Sequence, residues 1–198
     1  MRTIVTGLVV CLLVLGSLPS HASDPELKAM APDNVGLTLQ QSPVLYFYIS
    51  RTTSDPVRFT LVDARQTSPN VEVLLPSPTR AGWWPIRLKD YNIVLEPDLE
   101  YHWYVSIITV PGDRSKDIVA RGAIARCPIH ECMTEGLGLR CDKHWVTSLA
   151  RYGIWYDAAA CLNELIEANP QDGSLRRLRD QLLKDVGIIL LTANWTQM

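Results

Sequence analysis

The sequence lacks the short patterns that mark common catalytic sites. It has no Gly-x-Ser-x-Gly elbow, no phosphate-binding glycine loop and no calcium loop. Cys-x-x-Cys is also missing, which argues against a thioredoxin-like redox role. His130-Glu131 begins like a metalloprotease zinc helix, but Thr134 stands where the second histidine belongs. The carboxylates are scattered and no pair stands out. Basic charge is not in excess: 19 Lys and Arg face 21 Asp and Glu, which leaves no electrostatic footprint for nucleic acid or an anionic membrane. After residue 18 no apolar run approaches the roughly 20 residues of a spanning helix.

What is present begins with an address. Arg2 precedes an apolar run from Ile4 to Leu18, and Ser20-His21-Ala22 puts small residues at the −3 and −1 positions of a cleavage site. Residues 1–22 read as a secretory signal peptide cut after Ala22, so the mature protein is expected in the periplasm or outside the cell, with no membrane span. Cys11 is a poor lipidation site, because Val10 precedes it where a small residue is wanted. Removing the signal leaves Cys127, Cys132, Cys141 and Cys161. An even count in an oxidising compartment favours disulfides.

Residues 23–35 are polar and Pro-containing, and read as a flexible lead-in. From Gly36 to Arg126 the pattern is β. Gly36–Gln40 is short. Val44–Ser50 is strong, with Leu45, Phe47 and Ile49 opposing Val44, Tyr46 and Tyr48. Val57–Val62 points Val57, Phe59 and Leu61 inward and Arg58 and Thr60 outward. Val71–Leu75, Trp83–Leu88 and Asp117–Arg126 follow the same logic, with Pro85 marking an edge or a bulge. Between the last two, a strand near His102 carries Trp103, Val105 and Ile107 on one face. About seven strands over roughly ninety residues fit an antiparallel sandwich.

After Arg126 the period changes. Residues 127–141 form a Cys-rich link containing Pro128, Gly136 and Gly138. Residues 142–186 read as a helical unit of about three helices. The first runs from Asp142, a candidate N-cap, to Tyr152, with Trp145, Leu149 and Tyr152 in register. The second runs from Ile154 to Ala168, with Trp155, Ala158, Leu162 and Leu165 on one side, and Pro170 stops it. The third runs from Gly173 to Val186, with Leu175, Leu178, Leu182 and Leu183 apolar and its four Arg and Lys residues solvated. Residues 187–198 are an apolar tail that would add a strand or lie on the core.

Three resemblances follow. Leu95-x-Pro97-x-x-x-Tyr101 entering an alternating strand resembles the tyrosine corner of immunoglobulin-like and fibronectin type III sandwiches, where the phenol bonds a backbone group a few residues upstream. Gly153, Trp155, Ala158, Leu162, Leu165 and Pro170 resemble the second half of one tetratricopeptide repeat. A lone repeat cannot bury both faces, so its apolar face must dock elsewhere. The widest resemblance rests on Asn34-Val35-Gly36-Leu37-Thr38, the strand after Pro43, Leu95-x-Pro97-x-x-x-Tyr101-x-Trp103, Gly122-x-Ile124-x-Arg126 and Gly153-Ile154-Trp155-Tyr156-Asp157-Ala158. Together these resemble the exported bacterial family called domain of unknown function 928. That resemblance implies architecture and export, and brings no catalytic residue. The expected fold is α+β, an immunoglobulin-like sandwich followed by the helical unit.

Two constellations could carry chemistry. Cys127, His130, Cys132, Cys141 and His144 offer ligand types for tetrahedral zinc, although Cys-x-x-His…Cys-x-x-His is not a common zinc spacing. Two disulfides are the competing expectation, and Cys161, outside the cluster, lets all four cysteines pair. Three connectivities are possible, and the expected one is Cys132–Cys141 with Cys127–Cys161. The aromatic residues are the second constellation. Trp83, Trp84, Trp155 and Tyr156 are candidates for an exposed interaction surface, weighed against core packing. His102 is expected as a hydrogen-bonded neighbour rather than a base. The functional expectation is a non-enzymatic exported protein, without cofactor, that binds a protein partner in the cell envelope. A metal-binding role for the link, and a carbohydrate-binding protein or an enzyme of a class not visible in the motifs, are the alternatives.

Overall fold

The computed structural model describes residues 24–132 and 140–188, with the side chains of Ile129 and His130 outside that description. The expected signal peptide, most of the apolar tail and residues 133–139 of the link lie outside the described residues. The fold is α+β. Eight strands run in order as β1 (Leu27–Ala29), β2 (Gly36–Thr38), β3 (Val44–Ile49), β4 (Val57–Asp63), β5 (Val71–Leu75), β6 (Gly82–Arg87), β7 (Glu100–Ile107) and β8 (Ile118–Arg126). Four helices follow: a single turn α1 (Ile129–Cys132), then α2 (Lys143–Arg151), α3 (Trp155–Ala168) and α4 (Gly173–Asp185).

The strands make two sheets, β1-β3-β6 and β2-β8-β7-β4-β5. All neighbours are antiparallel except β2, which lies parallel to β8 with Gly36 opposite Ile124. Alternation sets the core. Phe59 and Leu61 of β4 and Trp103, Val105 and Ile107 of β7 join Leu45, Phe47 and Ile49 of β3 in one buried cluster. Each such large apolar side chain contributes about 1.5–3 kcal/mol through burial.

The strand after Leu95 is pinned at its entrance. The Glu96 amide donates to the Tyr101 hydroxyl at 3.2 Å, the upstream backbone bond expected of the Leu95–Tyr101 pattern. Asp142 caps α2 as expected, its carboxylate accepting the Trp145 amide at 2.8 Å.

Three local expectations change, and one strand proves to be buried on both faces. Leu27–Ala29, expected in a flexible lead-in, is an edge strand paired with β3, and Met30 beside it is buried. Both faces of β3 are buried. Tyr46 and Trp83 lie on the face away from the other sheet, and α3 and α4 cover it. On α2 the buried positions are Val146 and Leu149, while Tyr152 is exposed, because the helix docks one residue round from the expected stripe. Arg179, expected in solvent, is 8% exposed, with its guanidinium 5.4 Å from the Trp83 ring centroid. Its planar cation stacks on an indole and its aliphatic stem fills apolar space.

Gly122 shows how tightly β8 is held. A Cβ there would lie 2.6 Å from the Trp103 ring and 2.7 Å from Ala31 Cβ. Gly122→Ala is therefore expected to destabilise the protein by about 1–3 kcal/mol through overpacking. Urea denaturation followed by circular dichroism checks this, and wild-type stability would refute the close fit.

Candidate functional site

The densest set of polar contacts lies where the first turn of α3 meets the sheets. Gly153 ends α2 with φ +72°, a left-handed turn that favours glycine, and its carbonyl accepts the Leu37 amide of β2 at 3.0 Å. Trp155 Nε1 donates to the Met30 carbonyl at 2.9 Å. The Trp103 indole donates to the Tyr156 hydroxyl at 2.8 Å, and that hydroxyl donates to the Ala123 carbonyl at 2.9 Å. The Asp157 carboxylate accepts the Leu39 amide at 3.1 Å and is also hydrogen-bonded by the Thr38 and Gln40 side chains. Ala158 is fully buried against α2. Gly36 is small because a Cβ would lie 2.8 Å from the Tyr156 ring.

Three successive side chains therefore reach three different β segments. Burial raises the Tyr156 phenol strongly, so it stays neutral and can both donate and accept. Burial also pushes the Asp157 carboxyl up from its ordinary range, against the hydrogen bonds that lower it. Nothing in this arrangement sets a nucleophile against a base. It is a docking joint.

The interaction-surface candidates fall differently from expectation. Trp155 and Tyr156 are 5% and 1% exposed, and Trp83 is buried under α4. Only Trp84 is partly exposed. Its indole donates to the Arg80 carbonyl at 3.1 Å, with the Arg80 guanidinium 5.4 Å from its centroid. The physical reason is the unpaired apolar face of the helices, which has to be covered, and large indoles cover most area per residue.

The cysteines pair as Cys127–Cys132 and Cys141–Cys161, with Cα separations of 6.2 and 5.6 Å. This corrects the expected Cys132–Cys141 and Cys127–Cys161 pairing. The α1 turn folds Cys132 back on Cys127, and Cys161 faces the start of α2 from mid-α3. A disulfide sulfur carries no thiolate to offer a metal. Of the remaining ligand candidates, His144 is exposed and the His130 side chain lies outside the described residues.

Two open hollows among the described residues carry polar groups in their walls. One is a groove of 840 Å³ beside β7 and β8, walled by the segment 31–35 and containing Glu100, His102, Tyr104 and Arg121. The other has a volume of 350 Å³ and lies beside the docking joint, with Gln40, Ser42, Trp145, Asp157 and Glu164 in its wall. Sequence reasoning missed both. Their residues come from distant segments, which no spacing in the sequence brings together.

Two outcomes test the joint. Tyr156→Phe leaves the buried Trp103 indole without an acceptor and the Ala123 carbonyl without that donor, and is expected to cost about 2–4 kcal/mol in denaturant titrations. Asp157 gives a pH signature. Its folded pKa lies above the unfolded value, so its share of stability is full below the unfolded pKa and is lost as pH rises through the folded pKa. Asp157→Asn keeps an acceptor for Leu39 but does not titrate. Its stability relative to wild type should rise as pH climbs above the ordinary carboxylate pKa, and level off once the folded carboxyl has ionised. A constant difference would show that the burial of Asp157 has no such consequence.

Comparison with known proteins adds the family and little else. No curated protein matches the chain. Among solved structures, an engineered protein aligns at 10% identity over 52% of this chain and 20% of its own, with a TM-score of 0.34. The aligned part is thus a fifth of that protein, and a likeness this weak supports no argument. Residues 16–194 match the family described as Domain of Unknown Function (DUF928), so the match includes every segment of the docking joint, and the chain belongs to that family.

Proposed function

We propose that this is a non-enzymatic exported protein that binds a protein partner in the cell envelope, and that the partner sits in the groove beside β7 and β8. The supporting observation is the groove itself, 840 Å³ and open, with a wall that mixes Tyr104, His102, Arg121 and Glu100. An aromatic ring among hydrogen-bonding and charged groups suits a protein surface that is partly polar. Two disulfides support export, since such bonds persist in oxidising compartments. Among the described residues no helix is long and apolar enough to cross a membrane. A signal peptide at 1–22 would supply the route to the periplasm or beyond.

Within the same reading, the β region is an immunoglobulin-like sandwich and the helices are a tetratricopeptide-like unit docked on it. Support for the first is the core shared by both sheets and the Tyr101 bond to the Glu96 amide. Support for the second is the left-handed Gly153 between α2 and α3 and the close approach at Ala158. Both modules commonly serve binding, which is an analogy from fold.

Photocrosslinking in cells tests the proposal. A benzoylphenylalanine in place of Tyr104 is expected to give a discrete heavier adduct, and one in place of exposed Lys89 none. Absence of an adduct at both positions, or equal adducts from both, would sink the groove as the binding face.

A further inference from the structure

The hollow beside the docking joint shares no wall residue with the groove, so it stands apart from the partner-binding proposal. We propose that it is a binding site for a neutral carbohydrate. Trp145, in the first turn of α2, is half-buried and lines the hollow. An indole face packs against the C–H face of a pyranose, a contact that combines apolar burial with a polar rim. Around it stand groups suited to sugar hydroxyls. Ser42 donates its own proton to the Ile93 carbonyl at 2.7 Å, which leaves its oxygen as an acceptor. Gln40 adds an amide, and Glu164, exposed two turns along α3 from Asp157, adds carboxylate acceptors.

Charge favours a neutral ligand over a cation. Asp157 is the more buried of the two acids; burial disfavours its charged form, and its carboxyl is engaged by the Leu39 amide and by the Thr38 and Gln40 side chains. Glu164 keeps its water. The buried acid therefore offers an ammonium group or a metal less than a free carboxylate would. The wall is also held rigid from behind. The Cys141–Cys161 disulfide ties α3 to the residue preceding the Asp142 cap of α2, and Cys161 itself lines the hollow. A pre-formed wall lowers the ordering cost of binding a small polar ligand.

Calorimetric titration with three neutral tetrasaccharides tests the proposal: maltotetraose, cellotetraose and the tetramer of N-acetylglucosamine. At least one should bind with 1:1 stoichiometry and a Kd on the order of 0.1 mM. Trp145→Ala should weaken that binding at least about tenfold. Because Trp145 also packs on the helical cluster, Glu164→Ala at an exposed position serves as the second variant, expected to weaken binding several-fold with an unchanged melting temperature. Spermidine is the cation probe. The proposal is overturned if no tetrasaccharide binds at about 10 mM, if binding is indifferent to both substitutions, or if spermidine binds in preference to the sugars. Loss of crosslinking at Tyr104 would leave this site standing, and the reverse holds as well.

Discussion

The structure depends on the seating of one helical turn. Trp155, Tyr156 and Asp157 start α3, and each directs a polar atom to a different part of the β region: the Met30 carbonyl, the Trp103–Ala123 pair and the Leu39 amide. Apolar contact alone would let α3 slide over the sheets at small cost. Four hydrogen bonds in a largely buried setting fix one position, because every alternative leaves polar groups unsatisfied. The short strands β1 and β2 gain their support here. Neither has enough pairing to persist alone, yet Met30 and Leu37, beside or within them, are bonded directly to the α3 region.

Close approach is the second requirement. Gly36 and Gly122 clear space for the Tyr156 and Trp103 rings, which meet edge to face with centroids 6.4 Å apart. The disulfides act in the same place. Cys141–Cys161 ties the start of α2 to the middle of α3, and Cys127–Cys132 closes the turn that follows β8. Both restrict the unfolded chain around the junction between sheet and helices.

This arrangement gives the family pattern a physical meaning. Gly36, Trp103, Gly122 and the run from Gly153 to Ala158 are all consumed in the joint. Membership in the family therefore speaks for architecture. The groove and the smaller hollow are walled mainly by residues outside that pattern, such as Tyr104, Arg121, Trp145 and Glu164.

The period-2 alternation of β3, β4 and β7, the Asp142 cap and the stop at Pro170 were legible in the sequence, because each is set by residues adjacent in the chain. The same holds for the tyrosine–backbone bond at Tyr101, whose partner lies only five residues away. What the tertiary structure alone decided involves distant partners. Leu27–Ala29 becomes a strand only because β3 offers an edge. Trp83, Trp155 and Tyr156 are core rather than surface because helix and sheet meet over them. Arg179 is buried because an indole from β6 lies beneath it. The cysteine pairing follows the direction in which α1 and α3 present their sulfurs, which spacing does not encode. Local propensity is written residue by residue, whereas burial and pairing belong to contacts across the chain, and those exist only once the joint has formed.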